Sequence, residues 1–348
     1  MRIGSGENTY DWIDGWANIP ESQSSKDGWA HHGVVVAENG DIIAYHQEDP
    51  TFLRFDREGN LKESWPTILT EAHGMVLVKE GEEEYLWVAD TGSKRMSTHA
   101  YEKSRRTSDG SVALVEDDDQ TVGQAVKMRL DGQIVMILET PPIEIYQDRD
   151  YSPTCVIVNE EKFGGNSDIW VADGYGQHYV HRYNKSGGYI SSINGEEGDA
   201  GAFNQPHSIF VDWRKSESEL YVADRANGRI QVYDLEGKFK RVFGSGELIT
   251  PSAFVTYGDL MVVAELNARL TILDLQDNIV GYLGENEGVC NRDLGWPNIN
   301  GDDGNPERTD LLEPGKFNSP HGLAVDKDGH LYVAEWLIGG RFTKLAKL

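Results

Sequence analysis

Three short stretches set a histidine in the same local context: Ala72-His73-Gly74-Met75, Pro206-His207-Ser208-Ile209 and Pro320-His321-Gly322-Leu323. Each is followed, 14 to 17 residues after its histidine, by an apolar run that ends on an acid: Asp90, Asp224 or Glu335. A residue that returns at one position of a structural repeat sits at the same height on every copy. If the copies close into a ring, their side chains converge on its axis. Neutral imidazole is the commonest metal ligand, and a catalytic zinc takes three protein ligands and leaves a position open. With three neutral ligands the ion keeps its full charge, which polarises oxygen and lowers the pKa of bound water. The pattern therefore predicts Zn2+ on His73, His207 and His321. His32, in His31-His32-Gly33-Val34, is a fourth candidate, and four histidines without a carboxylate would also suit Fe2+ or Cu2+. The competing reading of each histidine is a turn residue that only caps a strand.

The elements that must position these residues are legible as repeats. The clearest unit runs from Gln205 to Gly244 and reads as four strands with turn signals between them. Five further copies start at His31, His73, Pro153, Pro251 and Pro320, at a period of roughly 42 residues. Period-2 alternation and dense glycine exclude helical repeats. The expected fold is all-β: a six-bladed β-propeller occupying residues 1–348 as a single domain. The sixth copy has room for about three strands before the chain stops. Thr9–Trp16 resembles an outer strand without a blade and is expected to complete it, removing exposed edges.

In that topology the first strand of each blade starts, and the second ends, at one mouth. Around the ring the first position reads His32, His73, Thr154, His207, Ser252, His321. The second reads His46, Asp90, Asp173, Asp224, Glu265, Glu335. The acids can orient the imidazoles or, more simply, bond backbone amides of the next turn. Tyr175 follows the second strand of a blade that lacks a histidine, so it faces the metal across the mouth. Arg225, beside Asp224, is a cation suited to a substrate carboxylate. Asp302-Asp303-Gly304-Asn305 has a faint calcium-loop look but lacks the distal glutamate, and a solvated turn is expected there. Two long connections, 91–122 and 284–318, fall over the mouth as lids, binding loops or disordered segments; the polar stretch Ser104 to Gln120, with Glu116-Asp117-Asp118-Asp119, favours disorder.

Bulk properties narrow the partners. A formal net charge of −26 repels nucleic acid and anionic membrane, which leaves a small molecule as the expected ligand. Cys155 and Cys290 cannot make a disulfide framework. No apolar signal region and no run of 18 apolar residues occurs. A cytoplasmic chain is expected, or an exported one whose signal peptide has been removed. Nothing in the sequence indicates an oligomeric state.

The units resemble NHL repeats. Pro153-Thr154 through Asp173-Gly174-Tyr175, and Pro206-His207-Ser208 through Ala223-Asp224-Arg225-Ala226-Asn227-Gly228-Arg229-Ile230, resemble peptidyl-α-hydroxyglycine α-amidating lyase. That family is a six-bladed propeller that splits a hemiaminal into an amide and glyoxylate with a zinc held by three histidines. The resemblance spans about residues 30 to 340 and is strongest over 150–235. It implies that His73, His207 and His321 are the zinc ligands, that Tyr175 is the catalytic base, and that Arg225 is an arginine of the site. The departures are specific. Gln47 stands where the family has a catalytic arginine, His32 where it has no histidine, and Gly322 where it has an acid that helps hold a structural Ca2+. The family's disulfides are also absent. Together these imply related chemistry on a different substrate. The remaining alternatives are a metal-dependent hydrolase, a four-histidine iron oxygenase and a non-enzymatic binding scaffold.

Overall fold

A computed structural model describes residues 1–348 except 23–24, 27, 47–50, 96–100, 107–111, 116–122 and 303. The fold is an all-β, six-bladed propeller. Blade 1 comprises Val34–Val36, Ile42–His46, Thr51–Phe55 and Leu61–Pro66; blade 2, Ala72–Glu80, Glu83–Asp90, Gln124–Arg129 and Ile134–Ile137. Blade 3 comprises Cys155–Val158, Ile169–Ala172, Val180–Tyr183 and Tyr189–Ile193; blade 4, Pro206–Asp212, Glu219–Asp224, Arg229–Tyr233 and Phe239–Phe243. Blade 5 comprises Pro251–Tyr257, Leu260–Glu265, Arg269–Leu273 and Ile279–Leu283. Blade 6 comprises Pro320–Val325, Leu331–Glu335 and Arg341–Lys347, and takes its fourth strand from the N-terminus.

That fourth strand is Asn8–Ile13, paired antiparallel with Arg341–Lys347 from Tyr10↔Lys347 to Ile13↔Lys344. It ends earlier than Trp16, which leaves the ladder and buries against Phe55 and Tyr332 while its Nε1 donates to Arg57 O at 2.9 Å. A fifth strand that the repeats do not announce, Arg2–Ser5, pairs outside it.

The chain divides into two compact units. The first is Met1–Thr67, Arg95–Tyr101 and Ser252–Leu348 and holds blades 1, 5 and 6; the second is Ile68–Lys94 and Glu102–Pro251 and holds blades 2, 3 and 4. In each, apolar cores form between the faces of successive blades. In the first unit Trp12, Val262, Ile272, Leu331 and Leu345 join one such core, and Val34, Ile42, Phe55 and Tyr332 another. In the second, Trp87, Val156, Val171 and Tyr183 pack together, as do Trp170, Ile209, Val222 and Tyr233.

The burial explains the sequence pattern. Second strands such as Glu219–Asp224 are buried along their whole length and read as continuous apolar runs, whereas the outer strand Phe239–Phe243 alternates with exposed residues. Strands three and four are joined by an aspartate turn: Asp234 Oδ1 accepts the amides of Glu236 and Lys238, and Gly237 supplies the positive φ of 85°.

Within the connection 91–122, composition favours disorder over Ser104 to Gln120. Its described residues form a backbone ladder, Tyr101–Arg106 against Val112–Val115, beside Ser93–Arg95. The run Glu116-Asp117-Asp118-Asp119 lies outside the described residues. The connection 284–318 contains a short 3-10 turn, Glu287–Asn291, and a two-residue hairpin, Ile299–Asn300 with Pro306–Glu307. No helix among the described residues is long and apolar enough to cross a membrane.

Candidate metal centre

The three repeated histidines share a backbone device. Ala72 pairs with Asp90 and Gly74 with Ala89; Pro206 pairs with Asp224 and Ser208 with Ala223; Pro320 pairs with Glu335 and Gly322 with Ala334. In every case the histidine is the extra residue of a β-bulge, which takes its side chain out of the ladder's alternation and re-aims it. The residue after it is small for a physical reason. A Cβ on Gly74 would lie 2.4 Å from Thr154 O and 2.7 Å from Cys155 Cα, and one on Gly322 would lie 2.6 Å from His32 O. In blades 2 and 6 the bulge thus brings the first strand close to the backbone of the adjoining blade. His73, His207 and His321 are all buried, with 1–4% of their surface exposed.

In the second unit, His73 and His207 stand edge to face with ring centroids 4.7 Å apart. His73 Nδ1 lies 2.6 Å from Thr154 O. A carbonyl can only accept, so Nδ1 carries the proton and the neutral ring keeps its lone pair on Nε2. The Nε2 atoms of His73 and His207 lie 3.2 and 3.1 Å from one atom, the Tyr175 hydroxyl. Arg225 Nη2 lies 3.4 Å from the same hydroxyl, with its guanidinium over the phenol ring at 5.4 Å. Arg225 is itself held by Gln205 Oε1, which accepts from Nε and Nη2 at 3.0 and 2.8 Å, while its buried Nη1 has no partner among the described residues. Tyr175 rides a turn that needs glycine: a Cβ on Gly174 would lie 2.5 Å from Thr154 Oγ1 and 2.7 Å from Pro206 O. The residues that repeat reasoning singled out in this unit are therefore in mutual contact.

In the first unit the arrangement differs from expectation. His31, not His32, lies beside His321, with ring centroids 4.5 Å apart. His32 turns the other way, stacking on Phe342 and meeting Tyr45 edge-on. The reason is the extended backbone, which sends adjacent side chains to opposite sides. Trp336 flanks His31 at 5.6 Å and is joined by Trp29 and Trp296 at 5.3 and 5.9 Å. Sequence reasoning passed over His31; the His31-His32 doublet was the available signal. His31, His73, His207 and His321 each offer a nitrogen suited to holding a metal ion. Imidazole nitrogens are ligands that suit zinc, and His73 is locked in the tautomer that presents Nε2.

Asp90 and Glu335 bond backbone amides, but chiefly those of the loop before the first strand rather than of the next turn, where the simpler reading had put them. Asp90 accepts the amides of Thr70, Glu71 and Gly92, and Glu335 those of Asn318 and Ser319. Burial pushes the Asp90 and Asp173 carboxyls up to about 6, despite these bonds. Asp173 also secures the Tyr175 turn by accepting from Ser152 N at 2.7 Å and Gln177 N at 2.5 Å. Behind it, Tyr146 OH donates to Asp173 Oδ2 at 2.6 Å and lies 2.8 Å from His181 Nε2. His181 is fully buried, and that burial pushes its imidazole down to about 3. Gln47 and Asp303 lie outside the described residues.

Comparison with known proteins bears on this geometry. Residues 317–336, which contain one of the three repeated histidines, match the family model for the NHL repeat. The chain is 25% identical over 312 residues to NHL repeat-containing protein 3 of Homo sapiens, covering 87% of this chain and 73% of that protein. It is 28% identical over 189 residues to peptidyl-glycine alpha-amidating monooxygenase A of Xenopus laevis, and 26% identical over 225 residues to monooxygenase B. These alignments cover 53% and 62% of this chain but only 18% and 23% of those proteins. Among solved structures, a streptogramin B lyase superposes with TM-score 0.51 at 12% identity, over 97% of each chain. A virginiamycin B lyase from Staphylococcus aureus does so with TM-score 0.51 at 13% identity, over 97% of this chain and all of that one. At such identities the likeness is one of fold.

Proposed function

We propose that this protein is a metal-dependent lyase, with zinc on His73, His207 and His321. Its substrate would be a small molecule bearing a hydroxyl or carbonyl, and its reaction related to that of peptidyl-α-hydroxyglycine lyase. The observation that carries the reading is the Tyr175 hydroxyl, 3.1 and 3.2 Å from two imidazole Nε2 atoms and 3.4 Å from Arg225. A bound zinc supplies positive charge that polarises a substrate oxygen. Tyr175 would act as the base. A phenol serves as a base near neutrality only beside positive charge, and Arg225 is such a charge. In a hemiaminal the phenolate takes the hydroxyl proton, the oxygen's electron pair forms the carbonyl, and the carbon–nitrogen bond breaks. The leaving nitrogen then takes the proton back from Tyr175. Arg225, with its Nη1 unpartnered, would orient a substrate carboxylate.

Gln47 sets the limit of the analogy. An arginine there would add a charged donor, and losing one such donor costs about 10²–10³ in rate. The protein is therefore expected to turn over an α-hydroxyglycine model compound slowly. The test pairs metal analysis of the purified protein with that assay on wild type, Gln47→Arg and Tyr175→Phe. One zinc per chain, slow wild-type turnover, a faster Gln47→Arg and an inactive Tyr175→Phe are expected. A metal-free protein would favour the binding scaffold, and bound iron the oxygenase. Ordinary wild-type rates, indifferent to Gln47→Arg, would show that the glutamine is no obstacle.

A further inference from the structure

We infer that the first unit holds a second ligand site, built on Arg308, that takes a small monocarboxylate with an apolar body. A cavity of about 890 Å³ opens between the Asp14 to Ile19 segment and the turn Gly339-Gly340 of blade 6. That volume suits a small molecule, for which pockets run about 300–1,000 Å³. No histidine lines it. Its charged lining is Asp14, Lys26, Arg308 and Arg341.

These cations differ in what neutralises them. Arg341 is bound by Asp14 through two bonds of 2.8 and 2.9 Å, and by Glu335 at 3.1 Å. Arg308 donates only to backbone carbonyls, Nη1 to Ile338 O at 3.0 Å and Nη2 to Gly340 O at 3.1 Å. Neither Arg308 nor Lys26 has a carboxylate partner among the described residues. In a chain of net charge −26, two cations on one cavity with no carboxylate partner among the described residues stand out. The backbone is also cut to fit the guanidinium. A Cβ on Gly339, where φ is 70°, would fall 1.8 Å from Arg308 Nη1 and 2.8 Å from Ser25 O. Gly340 follows with φ 61°. A guanidinium has five N–H donors; two are spent on carbonyls, and the rest remain for a planar acceptor such as a carboxylate. Ile19, Leu312 and Phe342 supply an apolar wall, which favours an organic acid over inorganic phosphate, and the Asp14 carboxylate disfavours a dianion.

The probe is benzoate, titrated into the purified metal-bearing protein and followed by the methyl resonances of Ile19 and Leu312. Saturable shifts are expected at those methyls, with benzamide far weaker. Arg308→Gln should weaken benzoate by roughly tenfold or more, as loss of a charged hydrogen bond does. Lys26→Gln should weaken it by about threefold: both cations are exposed, but two carbonyl bonds fix the Arg308 guanidinium in one geometry. Thermal unfolding checks that each variant is folded. If Arg308→Gln is not, Lys26→Gln and the benzamide comparison decide. The inference is overturned by an absence of saturable shifts, by equal binding of benzamide, or by benzoate affinity unchanged in the folded variants. It is also overturned if the perturbation is confined to the histidines, which would mark benzoate as a metal ligand only.

Discussion

The two compact units carry the same bulged histidine and surround it with different chemistry. In the unit of blades 2, 3 and 4, polar contacts do the holding: Thr154 O fixes His73, Asp173 fixes the Tyr175 turn, and Gln205 fixes Arg225. In the unit of blades 1, 5 and 6, His31 lies between His321 and Trp336 in ring contact with both. Polar fixing sets a tautomer and aims a lone pair, whereas aromatic packing excludes water and leaves the ring's protonation less determined. The same fold position can thus supply acid–base machinery in one unit and an apolar wall in the other.

The largest expected effect tests the three repeated histidines. His73→Ala, His207→Ala and His321→Ala should each strip the purified protein of most of its zinc, read by elemental analysis, while circular dichroism stays that of a β-propeller. His31→Ala, outside the repeat position, should retain more zinc than the other three. Normal zinc in a triple His73, His207, His321 alanine variant would put the metal site elsewhere. Next in size is Tyr175→Phe, expected to keep zinc yet lose about 10²–10⁴ in turnover of whichever substrate is found, the usual worth of a positioned base. Loss of zinc in that variant would recast Tyr175 as a structural partner of the histidines.

Much of this was legible because it repeats. The Pro/Ala-His-Gly/Ser context and the apolar run closed by an acid recur, and six copies give the blades. Thr9–Trp16 was legible as a strand wanting a blade, though the strand itself is Asn8–Ile13, and blade 6 as a blade wanting a strand. What stayed hidden is single-copy or local. One-residue phase decides whether His31 or His32 faces His321, and Gly33 after His32 argued for the wrong phase. The bulge is a register event with no residue type of its own, though the small residue following each histidine is its trace. Arg308 is an ordinary arginine in sequence, and only its pairing to carbonyls sets it apart. The ladder Tyr101–Arg106 with Val112–Val115 sits in composition that argues for disorder.

The buried groups behind Tyr175 give a third, smaller effect, and its sign differs by residue. His181 has its folded pKa pushed down to about 3 from an ordinary 6.5. The unfolded chain therefore binds the extra proton first. His181 favours the folded state above about pH 6.5, and that contribution is lost as pH falls toward 3. Asp90 and Asp173, raised to about 6 from 3.8, act oppositely. Their contribution is fully present below about pH 4 and is lost as pH rises through 6. Between pH 4 and 6 the two tendencies oppose each other. His181→Gln, which keeps polar atoms for Tyr146 and Ser192, removes one side. Its destabilisation, from urea unfolding at successive pH values, should shrink between pH 6.5 and 4, by at most about 3 kcal/mol at 1.4 kcal/mol per unit. A pH-independent difference would show that His181 does not titrate differently on folding.

The smallest expected effect returns to the two units through equivalent glycines. Gly74 and Gly322 both follow a bulged histidine, but they meet unequal neighbours. A Cβ on Gly74 faces two backbone atoms of blade 3 under 3.0 Å, Thr154 O at 2.4 Å and Cys155 Cα at 2.7 Å. A Cβ on Gly322 faces one, His32 O at 2.6 Å, with Gly33 Cα next at 3.2 Å. Backbone cannot swing aside as a side-chain tip can, so either alanine forces neighbouring blades apart. Overpacking of this kind costs about 1–3 kcal/mol. Gly74→Ala should fall toward the upper end and Gly322→Ala toward the lower, measured by urea unfolding at one pH. Gly74→Ala should also loosen His73 from Thr154 O, so its zinc should exchange faster than that of Gly322→Ala. In blade 4, Ser208 occupies the equivalent place, with its hydroxyl 3.5 Å from Cys155 Sγ. Equal costs at the two glycines would mean that the blades yield more readily than these distances imply, and that the closer fit in the second unit is not what holds its histidine in place.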